Sequence, residues 1–196
     1  SIGGKITGST TVCSGNNTTT LTLTGYRGSI SWQSASLSGT FSTMSGQTAA
    51  TLTASSLSST TRYRVVVKSG TCTSVLSDTA TILVDSVSLA GTISGVTTLC
   101  KDNSTSLNLS GYRGNIQWQS SSNGTSFTNI TGATSASLNT GSLGATTYYR
   151  AFVRNGVCSA DTTSVTMVTV NPVSVAGTIS GVTTICSATS TVLTLN

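Results

Sequence analysis

The sequence predicts an all-β protein made of tandem β-sandwich domains, and an internal repeat is the first observation behind this prediction. Residues 25–34 (GYRGSISWQS) return as residues 111–120 (GYRGNIQWQS), 86 positions later, and residues 90–98 return at the same offset. This period is longer than the ~20–45 residues of a solenoid repeat, so each unit should be a complete small domain. We therefore expect three units: residues 1–86, residues 87–172 and a truncated unit at residues 173–196.

Short runs that alternate apolar and polar residues are the second observation. Asn155-Gly156 is a strong hairpin signal, because both central positions of the favoured turn need positive φ, and Ser69-Gly70 stands at the same place in the first unit. No amphipathic helix of normal length is evident. Six or seven short strands per unit are typical of an immunoglobulin-like (fibronectin III-like) sandwich. The clearest strands of the second unit are predicted at residues 107–109, 116–119, 136–138, 149–154 and 165–170.

Two pairs of aromatic residues are predicted to lie in the core. Trp32 and Trp118 occupy the third strand position, where immunoglobulin-like domains often bury a Trp. Tyr63 and Tyr149 each follow a Leu by six residues, which is the spacing of a tyrosine corner. We expect all four side chains to be packing residues and not ligand contacts.

The connection between units is very short. Residues 84–87 (VDSV) and 170–173 (VNPV) leave almost no free residues between the last strand of one unit and the first strand of the next. Because so short a linker limits bending, the domains should be arranged as a stiff rod.

The cysteines predict disulfides and an oxidising compartment, because they are widely spaced and form no CxxC pair. The economical pairing is Cys13–Cys72 and Cys100–Cys158, and truncation would separate Cys186 from a partner expected in the missing part of its own unit. Each bond would close a loop of about 60 residues and contribute roughly 4 kcal/mol. Standard immunoglobulin wiring places Cys13 and Cys72 near opposite ends of the sandwich. Either the first strand is irregular, therefore, or the connectivity is not the standard one.

The residues offer no catalytic, cofactor or metal site. There are only four acidic residues and no His, which excludes a Ser-His-Asp triad and leaves no facing carboxylate pair for glycoside hydrolysis. We therefore expect no enzyme activity and no cofactor. The net charge of +5 comes from scattered Lys and Arg, so no nucleic-acid partner is expected. No apolar run approaches the roughly 20 residues that span a membrane.

A Tyr-Arg pair stands at the same turn in both units. An aromatic ring beside a guanidinium could stack on a sugar or contact a protein partner; alternatively, the Tyr packs on the loop and the Arg supplies solubility. These candidate ligand contacts are Tyr26, Arg27, Tyr112 and Arg113.

The motifs ISGVTTLC (residues 93–100), GNIQWQSS (114–121), TTYYRA (146–151) and GVC (156–158) resemble the immunoglobulin-like repeats of giant Bacteroidetes cell-surface adhesins. The resemblance covers the whole chain. It is nearest to the flavobacterial gliding-motility adhesins, which are exported by type-nine secretion.

This resemblance implies a structural and adhesive segment of a long filament attached to the outer membrane. Its partners would be the substratum or a surface polysaccharide, the secretion and motility machinery, and further repeats of the same chain. The alternative is a spacer or carbohydrate-binding module of a secreted enzyme. In such proteins O-glycosylation occurs at a Ser or Thr that follows an Asp and precedes a small or apolar residue, which here implies Thr79, Ser86 and Thr162.

Overall fold

The computed structural model describes residues 1–187 and 190–196, and all regular secondary structure in those residues is β-strand. The strands of the first repeat are β1 (Lys5–Thr7), β2 (Thr11–Cys13), β3 (Thr18–Thr24), β4 (Ser29–Ser36), β5 (Ser42–Thr43), β6 (Thr51–Ser55), β7 (Thr61–Lys68), β8 (Val75–Leu76) and β9 (Ala80–Asp85). Those of the second are β10 (Thr92–Gly95), β11 (Thr98–Cys100), β12 (Ser106–Ser110), β13 (Asn115–Ser121), β14 (Thr128–Asn129), β15 (Ser137–Asn139), β16 (Thr147–Arg154), β17 (Asp161–Thr162) and β18 (Thr166–Asn171).

Each repeat forms two sheets. In the first repeat, β1, β3 and β6 form a three-stranded antiparallel sheet, and the second sheet has the order β2-β9-β7-β4-β5, with β8 added to β7. The second repeat reproduces this order with β10-β12-β15 and β11-β18-β16-β13-β14, with β17 added to β16. The predicted class of tandem β-sandwich domains is therefore confirmed.

The start of the third repeat reproduces one pairing of the second. The strands β19 (Ile179–Ser180) and β20 (Thr194–Leu195) pair antiparallel, with Ile179 opposite Leu195. These residues correspond to Ile93 and Leu109, which are partners in the second repeat. The described part of residues 173–196 therefore contains the same first strand pair as the preceding repeat.

The core of each repeat lies between its two sheets. Period-2 alternation turns one side chain inward and the next outward, so Ile30 and Trp32 of β4 are buried while Ser29 is exposed. Trp32 and Trp118 are fully buried, and each indole N–H donates to a carbonyl, of Ala49 (2.9 Å) and Ser135 (2.8 Å) respectively. These bonds satisfy the one polar group that each buried Trp brings into the core.

The first segment of each repeat contacts both sheets in turn. β1 pairs antiparallel with β3 in one sheet, and β2 then pairs parallel with β9 in the other. Cys13 therefore lies beside Asp85, at the end where the chain leaves the first repeat. This arrangement decides the cysteine pairing.

Candidate functional site at the junction between repeats

A disulfide joins the two repeats to each other. Cys13, at the end of β2, is bonded to Cys158, in the turn after β16 of the next repeat, with 4.9 Å between their Cα atoms and a sequence separation of 145. Cys158 is buried at this contact. The expected pairs Cys13–Cys72 and Cys100–Cys158 are therefore wrong. Cys72 and Cys100 form no disulfide and are exposed.

The strand directions explain why a bond within one repeat is excluded. β7 is antiparallel to β9, with Tyr63 opposite Ala80, so the turn after β7 lies at the opposite end of the sandwich from Asp85. That turn carries Cys72, whereas Cys13 lies beside Asp85. The 8 residues of β7 span roughly 26 Å, whereas a disulfide requires Cα atoms within about 7 Å. The next repeat, in contrast, brings its own equivalent turn to Cys13.

Asp85 is the polar centre of the junction. Its Oδ2 accepts a hydrogen bond of 2.9 Å from the Val157 backbone N–H. Gly156, at φ +49°, lies so close to this carboxylate that a Cβ would collide with Asp85 Oδ2. The side chain of Asn155 donates to the Ser86 carbonyl at 2.7 Å, and Cys158 Sγ lies 3.3 Å from the same carbonyl oxygen. The turn at residues 155–158 is thus shaped around the end of the preceding repeat.

A cleft of about 480 Å³ lies beside the disulfide. Its walls come from both repeats and include Asn16, Val87, Ser159 and Asp161. Within residues 1–187 and 190–196, no three His, Cys, Asp or Glu side chains come together in a set that could hold a metal ion. The observed contacts at the junction are the disulfide and the hydrogen bonds of Asp85 and Asn155.

The candidate ligand contacts lie in the turns before β4 and β13. Tyr26 packs partly buried against the first core, whereas Tyr112 is 39% exposed and lines a cleft of about 420 Å³. Arg27 and Arg113 are exposed, and their backbones pair with Ile2 and Leu89. The two turns have the same backbone pairing but present different surfaces, and of the two tyrosine rings that of Tyr112 is exposed.

A further repeated cluster, which was not predicted from the sequence, lies on the outward face of the larger sheet. In the first repeat the Arg64 guanidinium carbon lies 4.1 Å from the centre of the Phe41 ring, and Arg64 Nε donates to Gln33 Oε1 at 2.8 Å. In the second repeat Arg150 stands 4.1 Å from Phe127 and donates to Gln119 at 2.7 Å. All three residues return at the offset of 86, and the recurring Phe was the signal that could have revealed them. We call each cluster a Phe-Arg-Gln cluster.

One family model matches both repeats, at residues 2–86 and 89–172, and it is described as Domain of unknown function (DUF8696). The chain belongs to the DUF8696 family. A search of curated proteins finds no match to it.

Solved structures similar to the two DUF8696 domains are immunoglobulin-like. Murine CEACAM1b is 13% identical with a TM-score of 0.54, and the alignment covers 86% of this chain and 100% of that one. A marsupial T cell receptor is 16% identical with a TM-score of 0.59, over 93% of this chain and 78% of that one. At such identities the likeness shows the fold alone, and it confirms the predicted immunoglobulin-like sandwich.

The hydroxyls implied as glycosylation sites lie at the surface of the DUF8696 domains. Thr79, Ser86 and Thr162 are all exposed. The preceding Asp78 and Asp161 accept hydrogen bonds from the backbone N–H groups of Ile6 (2.7 Å) and Ala90 (2.9 Å). Asp78 follows β8 and Asp161 begins β17. The two carboxylates therefore help to hold the first segment of each domain beside these short strands.

The two tyrosines predicted as core residues are placed inside the DUF8696 domains. Tyr63 and Tyr149 are each 3% exposed. Burial raises the pKa of both phenols, and hydrogen bonds with the side chains of Thr61 and Thr147 oppose that shift of pKa. In the described residues no helix has the length and apolar character needed to cross a bilayer.

Proposed function

We propose that this chain is a load-bearing segment of an extracellular adhesive filament, in which a disulfide fastens each DUF8696 domain to the next. The observation that carries the proposal is the Cys13–Cys158 bond between successive repeats. Immunoglobulin-like folds serve as structural or binding domains, and disulfides form and persist mainly outside the reducing cytosol. A bond between domains adds a mechanical role, because it fixes how one domain sits on the next.

The position of the bond determines how the chain would respond to pulling. Tension applied at the two ends passes from the first strands to Cys13, crosses the disulfide to Cys158 and leaves through β18. The loop between the two cysteines, with its separation of 145 residues, is bypassed. At ~3.6 Å per residue this loop holds roughly 500 Å of extension that cannot be released while the bond is intact.

The resemblance to giant Bacteroidetes adhesins supports the more specific role, a gliding-motility adhesin carried on the cell surface. A filament that moves over a solid support is under tension, and a joint that resists lengthening suits that load. Weak contacts along many repeats would add up to strong attachment to a surface polysaccharide or the substratum. The partners at the cell would be the secretion and motility machinery.

Single-molecule force spectroscopy on the full chain, held at its two ends, tests the load-bearing role. Under oxidising conditions the contour length should grow only by the residues outside the loop, and a reductant should add roughly 500 Å. The variant Cys13→Ser should give the long extension without reductant, whereas Cys72→Ser should behave as the unaltered chain. Full extension of the oxidised, unaltered chain would overturn the proposal.

The filament is tested separately on the native polypeptide, taken from the cell surface and separated under reducing conditions. A chain of several thousand residues built mainly of this repeat is the expected result. A chain of a few hundred residues with one unrelated domain would instead identify the segment as a spacer or carbohydrate-binding module.

The Phe-Arg-Gln clusters are the observation that favours this second candidate function, since an aromatic ring and polar groups on an exposed face suit sugar binding. A glycan array decides it. Tight binding that is lost in a Phe41→Ala, Phe127→Ala double variant would favour the carbohydrate-binding module over the filament.

A further inference from the structure

The first two repeats each contain the two halves of the junction, and between these two repeats one half of each kind is joined by the disulfide. We call residues 155–158 and the equivalent residues 69–72 the turn halves. We call Cys13 with Asp85, and Cys100 with Asn171, the strand halves. The second turn half is bonded to the first strand half, whereas Cys72 and Cys100 are exposed and form no disulfide.

The unused turn half has the same conformation as the used one. The N–H of Cys72 donates to the Ser69 carbonyl at 3.0 Å, as that of Cys158 does to Asn155 at 3.0 Å. The first residue of each turn half also donates its backbone N–H to a Ser hydroxyl near the start of the same repeat. Ser69 donates to Ser1 (3.1 Å), and Asn155 donates to Ser88 (2.9 Å). The turn is thus built without a partner, and binding would not have to create it.

The glycine of each turn half shows where a partner belongs. Gly70 and Gly156 have φ of +56° and +49°. Beside Gly156 lies the Asp85 carboxylate, but a Cβ on Gly70 would meet nothing within 4 Å. Gly70 therefore borders an open space. At the equivalent position beside Gly156, that space is occupied by Asp85 of the preceding repeat.

The unused strand half also matches the used one. Cys100 stands opposite Asn171 on parallel strands, as Cys13 stands opposite Asp85. The Lys101 N–H donates to the Asn171 carbonyl at 2.8 Å, and the equivalent bond from Ser14 to Asp85 is also 2.8 Å. The Asn171 side chain retains an oxygen that can accept a hydrogen bond, which is the role of Asp85 Oδ2.

We propose that the occupant of both open halves is a further DUF8696 repeat, so that Cys72 bonds the strand half of a preceding repeat and Cys100 bonds the turn half of a following one. Each bond forms between two thiols. They release two protons and pass two electrons to a disulfide oxidant, which is reduced to two thiols. The inference rests on the proposed function, in which the segment is one part of a longer series.

A head-to-tail contact of this kind uses two different surfaces and does not close on itself, so it generates a filament. With every junction bonded, the shortest covalent path enters the first repeat at Cys72 and follows about 28 residues to Cys100 in the second repeat. There it crosses the disulfide to the following repeat, so each such step spans two repeats. Those residues extend to roughly 100 Å, whereas two unfolded repeats would extend to roughly 600 Å. The bonds would therefore prevent the filament from lengthening by unfolding.

The test extends the chain after Asn196 with a copy of residues 111–172, which completes the third repeat at the same period. The extended chain is folded in a glutathione redox buffer, the thiols are alkylated, and the disulfides are mapped by mass spectrometry. We expect a bond between Cys100 and the copied equivalent of Cys158, with complete loss of Cys100 alkylation. A control with Ser at the copied cysteine should restore that alkylation. A copied cysteine bonded within its own repeat, or left alkylated, would overturn the inference.

A second measurement, on the unextended chain, tests the same inference if the added repeat does not fold. Equal amounts of Cys72→Ser and Cys100→Ser chains are mixed in the same buffer. A mixed dimer joined through Cys100 of one chain and Cys72 of the other is expected, and a mixture that stays monomeric overturns the inference. Both readouts use purified protein without force or cells, so a failed force experiment would remove the proposed function and leave this result standing.

Discussion

Gly156→Ala tests whether the turn half is shaped to receive Asp85. At φ +49° an Ala carries the strain of a left-handed backbone, which costs about 1–2 kcal/mol for a residue with a Cβ. The new Cβ would also collide with Asp85 Oδ2. Because the carboxylate is the free end of a side chain, we expect it to rotate away and lose its bond from the Val157 N–H.

The loss at the junction can be estimated from that bond. Hydrogen bonds to a charged group contribute about 1.5–3 kcal/mol, and the lower end applies because Val157 is half exposed. A loss of about 1.4 kcal/mol is tenfold in an equilibrium constant. The equilibrium constant for forming Cys13–Cys158 from the reduced chain should therefore fall about tenfold.

The assay equilibrates the chain in glutathione buffers of graded redox potential and measures the bonded fraction by alkylation and mass spectrometry. Gly70→Ala is the matched control, because it carries the same backbone strain at φ +56° with no atom within 4 Å. It should leave the Cys13–Cys158 equilibrium unchanged. An unchanged equilibrium in Gly156→Ala would refute the role given to Asp85.

A double-mutant cycle separates the lost contact from strain at the turn itself. In an Asp85→Ala background the carboxylate is already absent, so Gly156→Ala should have a much smaller effect on the disulfide equilibrium. If the glycine substitution weakens the bond equally in both backgrounds, backbone strain explains the result and the contact does not.

Three further predictions concern the domains themselves. Trp118→Phe should lower the free energy of unfolding by about 2–4 kcal/mol in urea, since it leaves a cavity and the Ser135 carbonyl without its donor; a loss under about 0.5 kcal/mol would contradict this. The raised pKa of Tyr63 and Tyr149 means that the folded state holds its phenol protons more tightly than the unfolded state. Stability from these groups is complete below their ordinary pKa of 10.0 and falls as pH rises beyond it. The urea midpoint should therefore drop at alkaline pH, and less steeply in a Tyr63→Phe, Tyr149→Phe variant; equal slopes would refute the assignment. Phe41→Ala should cost only about 0.5–1 kcal/mol in the same urea assay, because its contact with Arg64 is at the surface, and a loss above about 2 kcal/mol would show a core role.

Local pattern was enough to predict the fold. The alternation around Trp118 predicted a strand at residues 116–119, and the structure has β13 at Asn115–Ser121. Asn155-Gly156 predicted a turn, and a turn is present there, but Asn155 is its first residue and only Gly156 of the pair has a positive φ, so the predicted pair of positive-φ central residues is wrong. These features depend on a few neighbouring residues, so a sequence can state them directly.

The cysteine pairing was wrong because sequence patterns contain no strand direction. Pairing within each unit was the economical choice, and it needed an irregular first strand or a non-standard connectivity to bring Cys13 and Cys72 together. The parallel contact between β2 and β9 instead places Cys13 at the exit end of the repeat, far from Cys72. The partner then comes from the next domain, a contact with a sequence separation of 145.

By itself the sequence determined the repeat, the all-β class, the tryptophan cores and the short linker, since each is a matter of periodicity or local conformational preference. The tertiary structure alone decided which cysteines meet, and that Asp85 of one domain is the acceptor for the turn of the next. Those contacts depend on how whole sandwiches are oriented, and orientation follows from the direction of paired strands and the packing of two domains.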